Sequence, residues 1–183
     1  MNIEELISNW HEKISINDCF SKFMFEYLAF IALLKKKKYP NVRSDREAIQ
    51  KLKRDEKIKN IYLEYVKKDH VLNAWNNIIN ELGIVKMGNI SRNGNGVEEI
   101  EYWNCSRNHF SQKTKEDKSK KTGIIHNLQD WENMIEFLYS IRNNLFHGGK
   151  NPQDTRDQLL IENGYLALNL LVEVLIRPSF IKR

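Results

Sequence analysis

Arg142 and His147 are the two side chains of this sequence best placed to do chemistry. They lie in the stretch Ile141-Arg142-Asn143-Asn144-Leu145-Phe146-His147-Gly148-Gly149-Lys150. An imidazole can take or give a proton near neutral pH, and a guanidinium can hold an oxyanion through paired N–H donors without a metal. Their setting is unusual. Leu128, Trp131, Ile135, Leu138 and Leu145 fall on one seam at three- and four-residue steps, the spacing of an amphipathic helix. A step of four from Leu138 lands on Arg142. A charge on a buried stripe is costly unless something pairs with it. His147 follows five residues later, just before Gly148 and Gly149, and a glycine pair is a helix stop.

The elements that must position these groups are helical for most of the chain. Residues 3–14 read as a short amphipathic helix. Asn17 or Asp18 can cap a second helix running to about Lys37, which is apolar nearly all round between Phe23 and Leu34 and carries one charge there, Glu26. Pro40 ends it. Ser44 or Asp45 can start a third, polar and basic helix to about Lys68, with a thin apolar side of Ile49, Leu52, Ile58, Tyr62 and Tyr65. Residues 70–82 give a fourth, with Val71, Trp75, Ile78, Ile79 and Leu82 in register, closed by Gly83.

The character then changes. Asn93-Gly94-Asn95-Gly96 is a turn signal between Ile84–Met87 and Val97–Trp103, which predicts a short β-hairpin. Tyr102 and Trp103 on it read as packing residues rather than base-stacking ones. Ser111–Thr122 has no apolar period and reads as a loop. The fifth helix carries Arg142 and His147. Asp154 caps the sixth, with Asp157 as a capping-box partner, and it runs to about Arg177 before Pro178. This last helix is apolar on more than one face, so it lies at the centre of the fold or is covered by a second subunit. The fold class is therefore all-α: a bundle of five to six helices in a single domain over 1–183, with a hairpin-and-loop insertion at about 84–126 before the helix that bears Arg142.

Composition narrows the function classes. The chain has 183 residues, 41% of them hydrophobic, enough for one domain with a real core. Net charge is +5 and the pI about 9.1, a modest bias toward acidic partners such as nucleic acid. The positive charge is concentrated. Residues 35–59 hold eleven Lys/Arg and four acids, a local charge of +7 that leaves −2 for the rest. As a bare charge run, Lys35–Lys38 reads as a solvated helix end. Two cysteines, Cys19 and Cys105, are too few for a disulfide scaffold, and no Cys-x-x-Cys or His-x-x-x-His spacing points to zinc. The apolar runs are interrupted and read as too short to span a bilayer. These features suggest a reduced, cytoplasmic protein with no metal and no cofactor.

The stretch from Arg142 to His147, followed by Gly-Gly-Lys and then by Arg156-Asp157 opening an apolar helix, resembles the Arg-polar-x-x-x-His signature of HEPN domains. The resemblance extends to the apolar helix near the N-terminus and covers most of the chain apart from 84–126. It implies a HEPN-like helical bundle and a metal-independent endoribonuclease with its site at a homodimer interface. Such enzymes cut RNA by attack of its own 2′-hydroxyl and leave a 2′,3′-cyclic phosphate and a 5′-hydroxyl. It also implies a setting in bacterial toxin–antitoxin or antiviral defence, with an antitoxin protein as a further partner.

Chemistry assigns the roles. His147 is the proton carrier and Arg142 stabilises charge building on the phosphate. Asn143 orients His147 or bonds a phosphate oxygen. Lys150 steers the backbone, and Glu26 pairs with Arg142 to preposition it. At about 100° per residue, Arg142 and His147 diverge by roughly 140° on one helix. Two copies about a twofold axis bring them into a shared cleft more readily than one copy does. Plainer readings stand beside this. Arg142 could reach a surface carboxylate, His147 could answer the helix dipole, and the glycines could be only a cap. The rival functions are a non-catalytic HEPN module that binds nucleotide, RNA or a partner protein, and an interaction protein whose last helix is a dimerisation surface.

Overall fold

The structure, a computed structural model, describes residues 4, 18–92, 98–103, 123–147, 150–151 and 154–177. Among them, six helices and one hairpin follow in order: α1 (Cys19–Leu33), α2 (Asp45–Lys53), α3 (Glu56–Val66), α4 (Val71–Ile84), β1 (Gly88–Arg92), β2 (Glu98–Tyr102), α5 (Trp131–Phe146) and α6 (Thr155–Ile176). The chain is mostly helical, as its apolar periodicity indicates. The first expected helix, residues 3–14, lies outside the described residues except for Glu4, which pairs with Lys37 at 3.2 Å. The loop expected at Ser111–Thr122 also lies outside them.

Short polar side chains fix the helix starts. Asp18 accepts from the amides of Phe20 and Ser21, Ser44 from that of Glu47, and Asp154 from that of Asp157. The third helix expected over 45–68 is two helices. Asp55 interrupts it by capping α3 through the Ile58 amide at 3.0 Å, so the chain turns at Arg54-Asp55. A capping residue inside an apolar period breaks the helix because its carboxylate competes for the backbone donors. The capping box at the start of α6 is also absent. Asp157 turns away from the cap and takes Lys150 and the Asn151 amide instead. After Leu33, a π-helical turn over Leu34–Lys38 carries the four lysines and is closed by the Tyr39 amide on the Leu34 carbonyl.

Helix α6 is the central element and packs against α1, α3, α4 and α5. Most of its apolar surface is thus covered within one chain, with Leu159, Tyr165, Leu166 and Ile176 half-buried. By length and composition it could cross a bilayer, contrary to the expectation from sequence, because its few polar residues are spread along 22 positions; most of it is buried inside the bundle. Polar links fix its neighbours. The Trp75 indole donates to the Tyr62 hydroxyl, and that hydroxyl donates to the Ala167 carbonyl, each at 2.8 Å. Gly164 lets α6 approach α5 closely: a methyl group there would stand 2.8 Å from Ile141 Cδ1, one residue before Arg142.

β1 and β2 pair antiparallel, with Ile90 opposite Ile100. The first strand starts at Gly88, four residues later than expected, because Ile84 still belongs to α4. Trp103 is buried, with its ring 6.2 Å from Phe137, so it packs as expected, while Tyr102 is partly exposed. Asn144 ties the hairpin to α5. Its Oδ1 accepts from the Ile90 amide and its Nδ2 donates to the Gly88 carbonyl, both at 2.9 Å. Asn144→Ala is expected to cost about 2 kcal/mol, since it leaves a backbone donor and acceptor unsatisfied. Urea denaturation measures that loss, and faster hydrogen exchange at the Ile90 amide localises it.

The seam along α5 is real. Trp131, Ile135 and Leu138 are buried, and Leu128 and Leu145 are partly so. On its other side α5 meets α2 through Glu136, which is 5% exposed and takes both Arg46, at 2.6 Å, and Lys53. Burial pushes the Glu136 carboxyl up, but the two cations outweigh it and hold it below the ordinary carboxylate value. A depressed native pKa contributes stability above the unfolded value and loses it as pH falls through the native one. Glu136→Gln is therefore expected to destabilise the protein by about 2–3 kcal/mol at pH 7. Thermal melts in acid check the sign: the gap to the parent protein narrows as the pH drops below about 4.

Candidate active site

Arg142 leaves the apolar seam and lies in a slot made by three helices. Its guanidinium carbon is 5.8 Å from the centre of the Tyr27 ring on α1 and 4.4 Å from that of Phe146, one turn on along α5. One terminal nitrogen donates to Asn143 Oδ1 at 2.9 Å, and the other is 3.8 Å from Asp45 Oδ2 at the start of α2. The side chain is 28% exposed, so the head reaches solvent while its root does not. Arg142 Nε is buried and has no acceptor among the described residues.

Tyr27 supplies a wall rather than a reactive group. Burial drives its phenol well above the ordinary tyrosine value, although the nearby Arg142 charge pulls the other way. It stays neutral and is no base.

His147 closes α5. Its amide donates to the Asn143 carbonyl at 3.0 Å, and its exposed ring has no partner among the described residues. Phe146 beside it is 57% exposed. One end of α5 therefore presents a held guanidinium, an open aromatic face and an exposed imidazole.

The other expected site residues are placed differently. Asn143 commits its oxygen to Arg142 and so positions the guanidinium rather than His147. Glu26 is buried, as its setting in α1 implies, but it does not pair with Arg142. It accepts from Asn169 Nδ2 at 3.3 Å, and its charge bears on Tyr165, both on α6. Helical geometry explains the difference: neighbours on a helix diverge by about 100°, so with Tyr27 under Arg142, Glu26 faces away. Lys150 does not reach out to steer a substrate. Its side chain is 4% exposed and its ammonium is 2.5 Å from Asp157 Oδ1. Gly148 and Gly149 lie outside the described residues.

Asp45, Tyr27 and Phe146 complete the slot and were not singled out by sequence. Phe146 carried a usable signal, because a ring four residues after an arginine shares its helix face. Asp45 and Tyr27 carried none, since they come from helices distant in the chain. His126 is exposed, as its polar setting implies, and its Nδ1 lies 2.8 Å from Oδ2 of the buried Asp130. Among the described residues, no three His, Cys, Asp or Glu side chains gather as a metal-binding group. A separate cavity of about 300 Å³ lies between the hairpin and the start of α6, lined by Tyr102, Asn144, Lys150 and Arg156 among others. Compared with protein-family models, with curated proteins and with solved structures, the chain matches none of them.

Proposed function

We propose that the protein is a metal-independent endoribonuclease of HEPN type that works as a homodimer, with Arg142 and His147 of both subunits lining one cleft. The observation that carries this reading is the state of Arg142. It occupies a position where an apolar side chain would pack, and among the described residues its buried Nε–H finds no acceptor, which costs about 1–3 kcal/mol. Such a residue is poorly explained by stability and well explained by a task. The task must involve an anion, since the exposed part of the group is a guanidinium near an exposed imidazole.

The reaction follows from those groups. His147 takes the proton of the ribose 2′-hydroxyl, and the freed oxygen attacks the adjacent phosphorus. The bond from phosphorus to the 5′-oxygen breaks, and the partner subunit's His147, protonated, returns a proton to that oxygen. Arg142 stabilises the charge on the non-bridging oxygens throughout. The divergence of the two side chains by roughly 140° on one helix favours a trans arrangement. The similarity of Arg142–His147 to the HEPN signature supports the same reading and extends it to a cytoplasmic enzyme of toxin–antitoxin or antiviral defence systems, restrained by an antitoxin protein.

One observation favours the rival, a non-catalytic module that binds RNA or a nucleotide: Asp45 stands 3.8 Å from Arg142 and offsets part of its charge. Incubation of purified protein with end-labelled RNA in EDTA separates the two. Fragments ending in 2′,3′-cyclic phosphate support the enzyme, and retention of intact RNA supports the module.

A further inference from the structure

We propose that the seam between α2 and α5 is a track for the phosphate backbone of single-stranded RNA that ends at Arg142. The inference takes its destination from the ribonuclease reading. Its evidence is separate and lies in how charge is distributed along that seam.

The two helices run antiparallel there. Asp45, at the start of α2, meets Arg142 near the end of α5; Arg46 meets Tyr139 and Glu136; Leu52, near the end of α2, accepts from the indole of Trp131 at the start of α5. Four cations are set along this line against two carboxylates. Lys53 and Arg46 share Glu136, while Arg142 and Lys35 share Asp45, with Lys35 at 2.9 Å. Each carboxylate thus fixes two cations and neutralises one, which leaves a surplus of two positive charges in set positions. Carboxylates placed only to cancel charge would be matched one to one. Here they act as brackets that hold cations in place, with the side chains of Arg46 47%, Lys35 31% and Arg142 28% exposed and that of Lys53 12%.

The seam fits a nucleic-acid strand in two further ways. Arg46 lies over the Tyr139 ring at 5.1 Å and Arg142 over the Phe146 ring at 4.4 Å, so two guanidinium–aromatic pairs follow one another along the seam. Tyr139 and Phe146 are seven residues apart, about 10 Å along the helix axis, and Phe146 has a face open to a base. The track is also short. Nine residues of α2 span about 13 Å. That accommodates a few nucleotides of a single strand and is too short to cross two successive minor grooves, as recognition of duplex RNA requires.

The test uses the intact protein and a fluorescent 2′-O-methyl RNA 12-mer, which lacks the attacking hydroxyl and reports binding alone. Affinity is measured by anisotropy across a salt series for the parent protein, for Arg46→Gln with Lys35→Gln, and for Lys68→Gln, a control in the turn after α3. Each lost phosphate contact is expected to lower the log–log salt slope by about 0.7, so the double variant binds more weakly with a visibly shallower slope, and the control is unchanged. Lys35→Gln alone leaves Glu136 with both partners, and it gives half the slope change even where the double variant fails to fold. An unchanged slope in the folded seam variants overturns the track. Normal cleavage of ordinary RNA beside that unchanged slope leaves the ribonuclease reading intact. A seam-dependent slope in a protein that never cleaves removes the nuclease and leaves the track.

Discussion

Replacing His147 with alanine is expected to lower RNA cleavage by about 10²–10⁴-fold, the usual contribution of a positioned general base or acid. The upper part of that range applies here, because both proton transfers are assigned to the same residue on the two subunits. The fold is expected to be untouched. The ring is exposed and has no partner among the described residues, so its removal opens no cavity and orphans no buried group. A single-turnover assay beside a thermal melt measures both sides. A large fall in rate with an unmoved Tm identifies His147 as a working group. Cleavage at the parent rate removes it from the chemistry.

Arg142→Met is the second large effect, and it has an unusual stability side. Cleavage is expected to fall by about 10²–10³-fold, the loss typical for one donor to a developing oxyanion. Most substitutions at a half-buried charged residue destabilise, but this one is expected to be neutral or stabilising. The methionine removes the unsatisfied Nε, worth about 1–3 kcal/mol, and gives up two cation–π contacts of about 0.5–1 kcal/mol each and the hydrogen bond to Asn143 Oδ1, which water can take over. Asp45 is not abandoned, because Lys35 remains at 2.9 Å. Arg142→Lys sharpens the comparison. It keeps the charge but loses the flat group that fits between Tyr27 and Phe146, so it is expected to retain little activity. Urea denaturation of the three proteins tests this: an Arg142→Met variant clearly less stable than the parent would mean that Arg142 serves the fold.

The helices were legible in the sequence wherever one face was apolar. The seam from Trp131 to Leu138 marked α5, and its interruption by Arg142 marked the candidate site. Asp18, Ser44 and Asp154 marked helix starts because capping is local. Asp55 was just as local, but its signal lay inside an apolar period that continued from Leu52 to Ile58 and masked the break between α2 and α3. What the chain could not declare was which distant carboxylate would meet which cation. Glu26 looked able to serve Arg142, and nothing marked Asp45 for that part. The choice was made by the rotation of α1, which points Tyr27 at the guanidinium and Glu26 at Asn169. Lys150 looked free for the same reason, since a lysine in a loop gives no sign that an aspartate seven residues on will bury it. The brackets along the α2/α5 seam were equally hidden: the +7 of residues 35–59 was plain, but not that Glu136 would hold two of its members, with Arg46 over Tyr139.

Subunit mixing tests the shared cleft most directly. Arg142→Met and His147→Ala proteins are each prepared as inactive homodimers, then unfolded and refolded together, so that part of the population carries one subunit of each. In such a dimer no chain holds both groups, but the intact Arg142 of one subunit faces the intact His147 of the other. That cleft keeps one imidazole of two, so one proton transfer passes to water, and partial recovery of cleavage, above either variant alone but below the parent, is the expected result. A mixture that forms dimers and stays as inactive as its components would contradict a site built across the twofold.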